Sequence, residues 1–543
     1  MSTDRNEKLI RIIKFVITAV LFAMSAFVIT KMFMAALFTD TPREYRDYAN
    51  VQITDEIVKG INPYKISEDV TWQHVYVYTP LTSVITAGLQ LISGVGIVRL
   101  QFMVTFVFLI SSSALAACFV YKKTSAIETA LLSFLLMTGT NYHAGFMGSA
   151  PGPLGVFILV VIFMLLDRGN EDKDKADDGK KAAQKYSVGT ILLISLLSVL
   201  LFYVKQYFAV CAISVAIYLF IRDKKGAVCY LLSCIILGLS SLYILDHYCP
   251  LFVFDTVYLF YSSTKGMVDS TSMYLVSLKK MVYFGVFYSP LFIVWIAHVV
   301  KRVRAEKRFR VSMLSIWEIN TVVMAFILFF WLGKNNGSFI TYHTQIMLPG
   351  LIISAAGAIG FFMKDLKEKK AFLFILFRAF TTVFFVAVII WKGWYPETLS
   401  NEEKSDWEYL YSRLDSYEGE YDDILLMSPV TGFYAMEHGL NDIDNGHNYL
   451  GEIEYDDSSV TKLLKTMGLL DELDLIYENA LERTEIIQNK IDNGEYKAIF
   501  ITENEGYAEV NTDLYELKDE MHLTTGTQAS ELNIYELKNE VEH

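Results

Sequence analysis

The sequence TDTPREYRDYANVQITDEIVKGINPY, residues 39–64, follows an apolar run that ends at Phe38. It is polar, rich in acids, and punctuated by Pro42, Gly60 and Pro63. Proline can open a helix, because its missing N–H costs nothing in the first turn. Glycine can close one by taking the left-handed C-cap conformation. Asn62-Pro63 then enforces an extended or turn conformation. A helix is therefore expected over 43–59. At 100° per residue, Tyr45, Ala49, Ile53 and Ile57 form one apolar stripe, with Glu44, Asp47 and Asp55 opposite. Such a helix rests on a membrane surface and turns its carboxylates toward water or into a cavity. The plainer alternative is a solvated acidic face.

On either side of this stretch the chain is strongly apolar. A transmembrane helix needs about 20 mostly apolar residues. Runs near 10–37, 97–121, 125–140, 150–167, 187–203, 206–221, 226–246, 281–300, 311–332, 345–363 and 371–392 are read as spans, about eleven in all. The first lacks a small-residue cleavage site and reads as a retained span rather than a signal peptide. The run 76–95 is ambiguous. If it lies on the outer surface, 25 Lys and Arg fall in one set of alternating loops, such as KRVRAEKRFR at 301–310, and about ten in the other. The positive-inside rule then puts the N-terminus in the cytoplasm and loop 38–96 outside. The expectation is a multi-pass plasma-membrane protein.

The composition agrees. Of 543 residues, 53% are hydrophobic and only 20% charged, more apolar than soluble proteins. The net charge of −13 averages two unlike parts. Residues 1–392 hold 38 Lys and Arg against 24 Asp and Glu, a balance of +14. Residues 393–543 hold 9 against 36, a balance of −27. A single soluble globule is excluded. So is a nucleic-acid binder, since there is no basic soluble domain. Cys118, Cys211, Cys229, Cys234 and Cys249 lie in or beside apolar runs with no metal-ligand spacing. The nine histidines show no metal spacing either.

The order of the outer-loop motifs resembles the polytopic GT-C glycosyltransferases, mannosyltransferase-like and arabinosyltransferase-like enzymes that use polyprenyl-phosphate sugars. The resemblance covers roughly residues 10–392. It rests on a long first outer loop with a carboxylate after the first span, then Gly60-Ile61-Asn62-Pro63-Tyr64, then Tyr78-Thr79-Pro80-Leu81. The family loop reads roughly D-x-x-x-Y-A followed by a glycine. Glu44 holds the acidic place, with Tyr48-Ala49 after it, and Asp47 is an equally placed rival. Residues 80–95, ending near Gly94, resemble the family's surface helix. Ser149-Ala150-Pro151-Gly152-Pro153-Leu154-Gly155 stands where the family often has Arg-Pro-Asp, and here both charges are absent.

The resemblance implies a sugar moving from a polyprenyl-phosphate donor to an outer glycan, lipid or protein. It leaves a divalent cation open and specifies no cofactor. Glu44 or Asp47 would be the general base. Tyr48 and Tyr64 of the loop would touch substrate. Lys205-Gln206, polar between two apolar runs, is expensive inside a bilayer and is a candidate for the lipid phosphate; a lysine snorkelling to the boundary is the alternative. Lys334, in a glycine-rich turn, and Tyr342, His343 and Gln345 beyond it are candidates for phosphate or sugar, against an ordinary polar turn. His74, Asn141, Tyr142 and His143 read as interfacial polar residues. Two other functions stay open: a lipid-linked glycan transporter or flippase, with charges lining a path through several spans, and an inactive envelope-assembly scaffold. Charges within the spans are few, with Lys31, Glu318 and Arg378 standing out.

Residues 393–543 alternate strand-like and helical runs and read as a soluble acidic α/β domain. Strands are expected at 423–427, 498–502 and 532–537, and helices near 403–417, 459–467 and 475–493. Asp442-Ile443-Asp444-Asn445-Gly446 resembles a calcium loop but lacks the third acidic ligand and the closing Glu.

Overall fold

The computed structural model describes residues 2–38, 41–43, 46–145, 148–168, 186–259, 270–332, 343–365, 371–396, 399–444, 458–502, 508–525 and 528–538. The first helix, α1 (Ser2–Leu37), leads into the loop expected from the charge pattern to lie outside, termed the outer loop, which holds α2 (Asp47–Val58) and α3 (Leu81–Ser93). Then come α4 (Ile97–Thr124), α5 (Ile127–Gly145), α6 (Gly152–Arg168), α7 (Val188–Val204), α8 (Cys211–Arg222) and α9 (Lys224–Tyr248). They are followed by α10 (Ser270–Phe287), α11 (Ser289–Glu306), α12 (Ile316–Ile327), α13 (Leu348–Asp365) and α14 (Ala371–Trp391).

Among the described residues, Lys8–Leu37, Ile97–Thr124 and Lys224–Tyr248 are long and apolar enough to cross a membrane singly. The chain is thus a polytopic, largely α-helical membrane protein. Each apolar run read from the sequence contains a helix, but the count of eleven spans exceeds what length and composition alone support. The run 281–300 is not one straight span. Residues Leu275–Phe287 and Ser289–Glu306 form a pair bent by 73°. The cause is Pro290 in the first turn of α11, which removes a helical hydrogen bond and crowds the preceding turn. Large apolar side chains face outward, such as Phe15 at 74% and Val383 at 65% exposure, as lipid contact requires. Arg378 and Glu318 inside the helical body are paired. Arg378 meets Glu128 at 2.8 Å, and Glu318 pairs with Arg302 while also closing a capping box with Ser315.

The outer helix departs from expectation. It begins at Asp47, not at 43, and ends on Gly60, whose φ is +74°. It is not an amphipathic helix lying on a surface: every residue from Asp47 to Asp55 is buried. The body of helices covers one side and the C-terminal domain the other. Ala87 and Thr82 of α3 are buried, while Leu91 and Ile92 near its end are exposed.

Beyond Trp394 lie α15 (Asn401–Asp415), β1 (Ile424–Met427), α16 (Gly432–His438), α17 (Ser459–Thr466), α18 (Leu473–Asp492), β2 (Ala498–Thr502), β3 (Tyr515–Thr525) and β4 (Gln528–Leu537). The sheet order is β1-β2-β4-β3, with β1 parallel to β2 and the other pairs antiparallel. Successive residues face opposite layers. Leu426, Phe500 and Ile534 pack toward Trp407 and Leu410 of α15, and Leu425, Ile499 and Tyr515 toward Ile487 and Ile491 of α18. The mixed α/β domain matches the reading from sequence, except that β3 and α16 were not foreseen. A bulge between Leu517 and Asp519 shifts the β3 register and breaks the period of two.

Candidate functional site

The site is built around residues 73–79 of the outer loop, which thread between α2, the break after α7 and the short helical turn at 254–259. The Tyr76 hydroxyl donates to Glu56 Oε1 at 2.6 Å, and its N–H to Asp255 Oδ2 at 3.2 Å. Gln206 Nε2 donates to the carbonyls of Val77 and of Thr256, the latter at 2.9 Å. The Tyr64 hydroxyl donates to the Tyr78 carbonyl at 2.7 Å. Thr79 Oγ1 donates to the Phe202 carbonyl at 2.8 Å. Gln206 and Tyr64 therefore act on backbone atoms and fix the course of this segment.

Its end at Tyr78 meets two basic side chains, Arg46 and Lys205; burial, then the Arg46 charge, push the Lys205 amine well below its usual range. Arg46 Nη1 donates to the Tyr78 hydroxyl at 3.2 Å. Lys205 Nζ stands 3.8 Å from the centre of the Tyr78 ring and 5.7 Å from that of Tyr207, within the reach of a cation–π attraction. Lys205 is only 2% exposed, so it does not snorkel to water. Its backbone is extended, with φ −168° and ψ 132°, and separates α7 from the turn 206–210. The His343 ring lies edge-on to Tyr207 at 4.8 Å. Burial, then the charges of Lys205 and Arg46, push its imidazole down to about 3. His343 is therefore neutral at pH 7 and offers one donor and one acceptor. The Tyr207 hydroxyl donates to Gln345 Oε1 at 2.8 Å, and Gln345 Nε2 donates to the Asn141 carbonyl at 3.2 Å.

Asp47 lies one residue from Arg46 and is 2% exposed. Its Oδ1 accepts from Ser149 N at 2.8 Å and Ser149 Oγ at 2.7 Å, and its Oδ2 from Arg43 N at 2.7 Å. Burial raises its carboxyl above the usual range, while the Ser149 and Arg43 bonds and the Arg46 charge pull the other way. The stretch around Ser149 is thus the one that grips this acid. Its glycines admit close neighbours. A Cβ on Gly148 would stand 2.5 Å from Asp47 Oδ1, and one on Gly152 would overlap the Gln345 amide.

A cavity of about 200 Å³ has Thr344, the residue after His343, in its wall. Its walls include Thr140, Phe284, Phe287, Tyr288 and Trp394, with His143 and Lys280 among them. A second cavity, of about 230 Å³, opens between α2 and the C-terminal domain and is lined by Tyr48, Gln52, Asp55, Glu56 and Trp72 among others.

Of the residues singled out from the sequence, Lys205, His343 and Gln345 meet around Tyr207, and Asp47 is joined to them through Arg46. Tyr48 is buried under Gly432, where an added Cβ would overlap its ring, and it lines the second cavity. Glu44, Lys334 and Tyr342 lie outside the described residues. So do Asn445 and Gly446 of the calcium-like loop; its Asp442 accepts from Thr431 Oγ1 at 2.5 Å and from Ser428 N at 3.2 Å. Arg46, Tyr207 and Asp255 received no role from the sequence. Asp255 is fully buried and its carboxyl is raised well above the usual range, by burial first. A charged or polar residue inside an apolar run was the available signal for Asp255, whereas Arg46 is hidden in a charge-rich stretch. Among the described residues no three His, Cys, Asp or Glu side chains gather as metal ligands, so no step is derived through a metal.

Fold and site together define a polytopic membrane protein with a buried cationic site beneath a C-terminal α/β domain. No family model and no curated protein matches the chain. Among solved structures it is similar to the Archaeoglobus fulgidus oligosaccharyltransferase tethered with an acceptor peptide containing the NVT sequon. The TM-score is 0.46 at 11% identity, over 90% of this chain and 69% of that one. The complex of that oligosaccharyltransferase with Zn and sulfate gives 0.44 at 10% identity, over 91% and 68%. Likeness at these scores does not assign the chain to a family.

Proposed function

We propose that this protein is a membrane glycosyltransferase that moves a sugar from a polyprenyl-phosphate donor to an extracytoplasmic glycan, lipid or protein. The observation that carries the proposal is the convergence of Arg46 and Lys205 with His343, Tyr78 and Tyr207, with a largely apolar cavity lined by the next residue, Thr344. A lipid phosphate has those two needs: positive charge at its head and apolar walls for the first part of its tail.

In the proposed reaction the acceptor hydroxyl oxygen attacks the anomeric carbon. The bond from that carbon to the phosphate oxygen breaks, and its electron pair leaves with polyprenyl phosphate. Lys205 and Arg46 stabilise the charge that develops there, in a site where water is excluded and such charges act strongly. The hydroxyl proton passes to a carboxylate, for which Glu44 and Asp47 are the candidates. Tyr207 and Gln345 hold the cation site in place, and Gln206 and Tyr64 fix the segment that carries Tyr78. The N-terminus is cytoplasmic and the C-terminal domain extracytoplasmic, in the plasma membrane.

The test is transfer by the purified full chain from labelled polyprenyl-phosphate sugars to membrane acceptors. Lys205→Met should lower turnover about 100-fold or more. Glu44→Gln or Asp47→Asn should lower it by about 100-fold to 10,000-fold in whichever holds the base. Full activity in Lys205→Met would refute the cation assignment. Passage of the lipid-linked sugar across the bilayer with no new glycosidic bond would make the protein a transporter. A cysteine at Leu481, 70% exposed, should react with an impermeant label from outside the cell.

A further inference from the structure

We infer that the cavity between α2 and the C-terminal domain is a saccharide-binding subsite that takes one uncharged sugar ring. Resting on the glycosyltransferase reading, it would hold the acceptor.

The cavity measures about 230 Å³, below the roughly 300–1,000 Å³ of sites for drug-sized ligands. That is room for a single ring. One wall carries Trp72, whose side chain is 46% exposed although its backbone is fixed. Asp69 caps the turn Val70–Trp72 by accepting from Thr71 N at 2.9 Å, and Asn441 of the C-terminal domain donates to the Thr71 carbonyl at 2.8 Å. An indole held open in this way offers a flat apolar face to the C–H side of a sugar ring. Opposite polar groups stand along α2. Gln52 is 7% exposed, lines the cavity, and has no hydrogen-bond partner for its Oε1 among the described residues. A buried acceptor in that state calls for a donor such as a sugar hydroxyl. Asp55 and Glu56 add carboxyl oxygens, and Lys59 pairs with Asp55 at 2.6 Å. With Lys65 also in the lining, two acids face two bases and neither sign dominates, which favours an uncharged ligand.

The cavity also lies in the right place. Tyr76, bonded to Glu56 on its wall, is two residues from Tyr78, which carries the contacts to Arg46 and Lys205. Two Cα atoms so spaced are at most about 7 Å apart. A ring seated on Trp72 is therefore held beside the segment that leads to the cations. The C-terminal domain closes the cavity with Met436, Gly439 and Leu440.

The experiment is saturation-transfer NMR on the full chain in detergent, titrated with methyl mannoside, methyl glucoside and methyl galactoside, and with sorbitol as an open-chain control. At least one glycoside should bind saturably and sorbitol should not. Trp72→Ala should weaken binding about tenfold, and Gln52→Ala should weaken it too. Trp72→Phe, which keeps an aromatic face, should recover part of it. Thermal unfolding confirms that the variants fold. No binding of any glycoside, equal binding of sorbitol, or unchanged binding in both Trp72→Ala and Gln52→Ala would overturn the inference. Lys205→Met should still bind the glycoside. Saccharide binding in a wild-type protein with no transferase activity would refute the glycosyltransferase reading and leave the subsite standing.

Discussion

Glu56 is a carboxyl whose surroundings set its protonation near neutral pH. Burial, then the nearby Asp55 charge, raise it from 4.5 to about 7, against the pull of the Tyr76 hydroxyl, Lys65 and Lys59. The folded chain thus binds this proton more tightly than the unfolded chain. The resulting stabilisation is complete below about pH 4.5 and is lost as pH rises through about 7. The difference is about 3 kcal/mol at most. Thermal unfolding of Glu56→Gln should fall less steeply between pH 5 and 7 than that of the parent; parallel slopes would refute the shift. Residues such as this were only partly legible in the sequence. Lys205 and Gln206 stood out because polar groups between apolar runs are costly. Glu56 did not, since the acidic side of the helix, Glu44, Asp47 and Asp55, leaves it out, and only its enclosure by a second domain makes its charge unusual.

At the level of elements, the glycines of 148–155 are best understood by what presses on them. The sequence showed a missing pair of charges there; the structure shows a backbone that three side chains approach closely. A Cβ on Gly152 would overlap the Gln345 amide, and one on Gly155 would stand 2.7 Å from the Phe208 ring. Gly152→Ala should break the run from Tyr207 through Gln345 to the Asn141 carbonyl. Overpacking of this kind costs about 1–3 kcal/mol. Turnover should fall along with the melting temperature, and an alanine variant with parental values of both would sink this account. The helices themselves were legible, because each is an unbroken apolar run. Their ends and bends were less so. Pro290 marked the 73° bend, yet proline is also tolerated in transmembrane helices, and the run alone did not decide between the two. In β3 the bulge at Leu517/Asp519 hid an otherwise regular strand.

For the whole molecule, the contact between the outer loop and the C-terminal domain is decisive. Arg483, 4% exposed, reaches out of α18 to donate to the Gln73 carbonyl at 2.8 Å and to the Ile443 carbonyl at 3.0 Å. Tyr243 at the end of α9 donates to the Met467 carbonyl at 3.0 Å. Leu469, Leu470, Leu473 and Ile476 join Ile53, Tyr64, Val75 and Phe252 in one apolar cluster. Arg483→Ala should cost about 2–5 kcal/mol at this contact, as loss of a buried charged hydrogen-bonding group does. Hydrogen exchange at residues 73–79 should rise well before the rest of the chain responds; protection equal to the parent would refute the coupling. The sequence separated the two parts by charge, +14 against −27, which says nothing of a contact between them. Their joint core was not visible, because its members are scattered over more than 400 residues.

That joint core governs how the acidic domain behaves when cut free. Expressed as residues 393–543, it would carry its full negative charge and also bare the leucines of 469–473. At low ionic strength repulsion keeps such particles apart. As added salt shortens the screening length from about 30 Å at 0.01 M to about 3 Å at 1 M, the bared patch prevails. The excised domain should be a colloid that salt turns sticky, dispersed in dilute buffer and self-associating in brine.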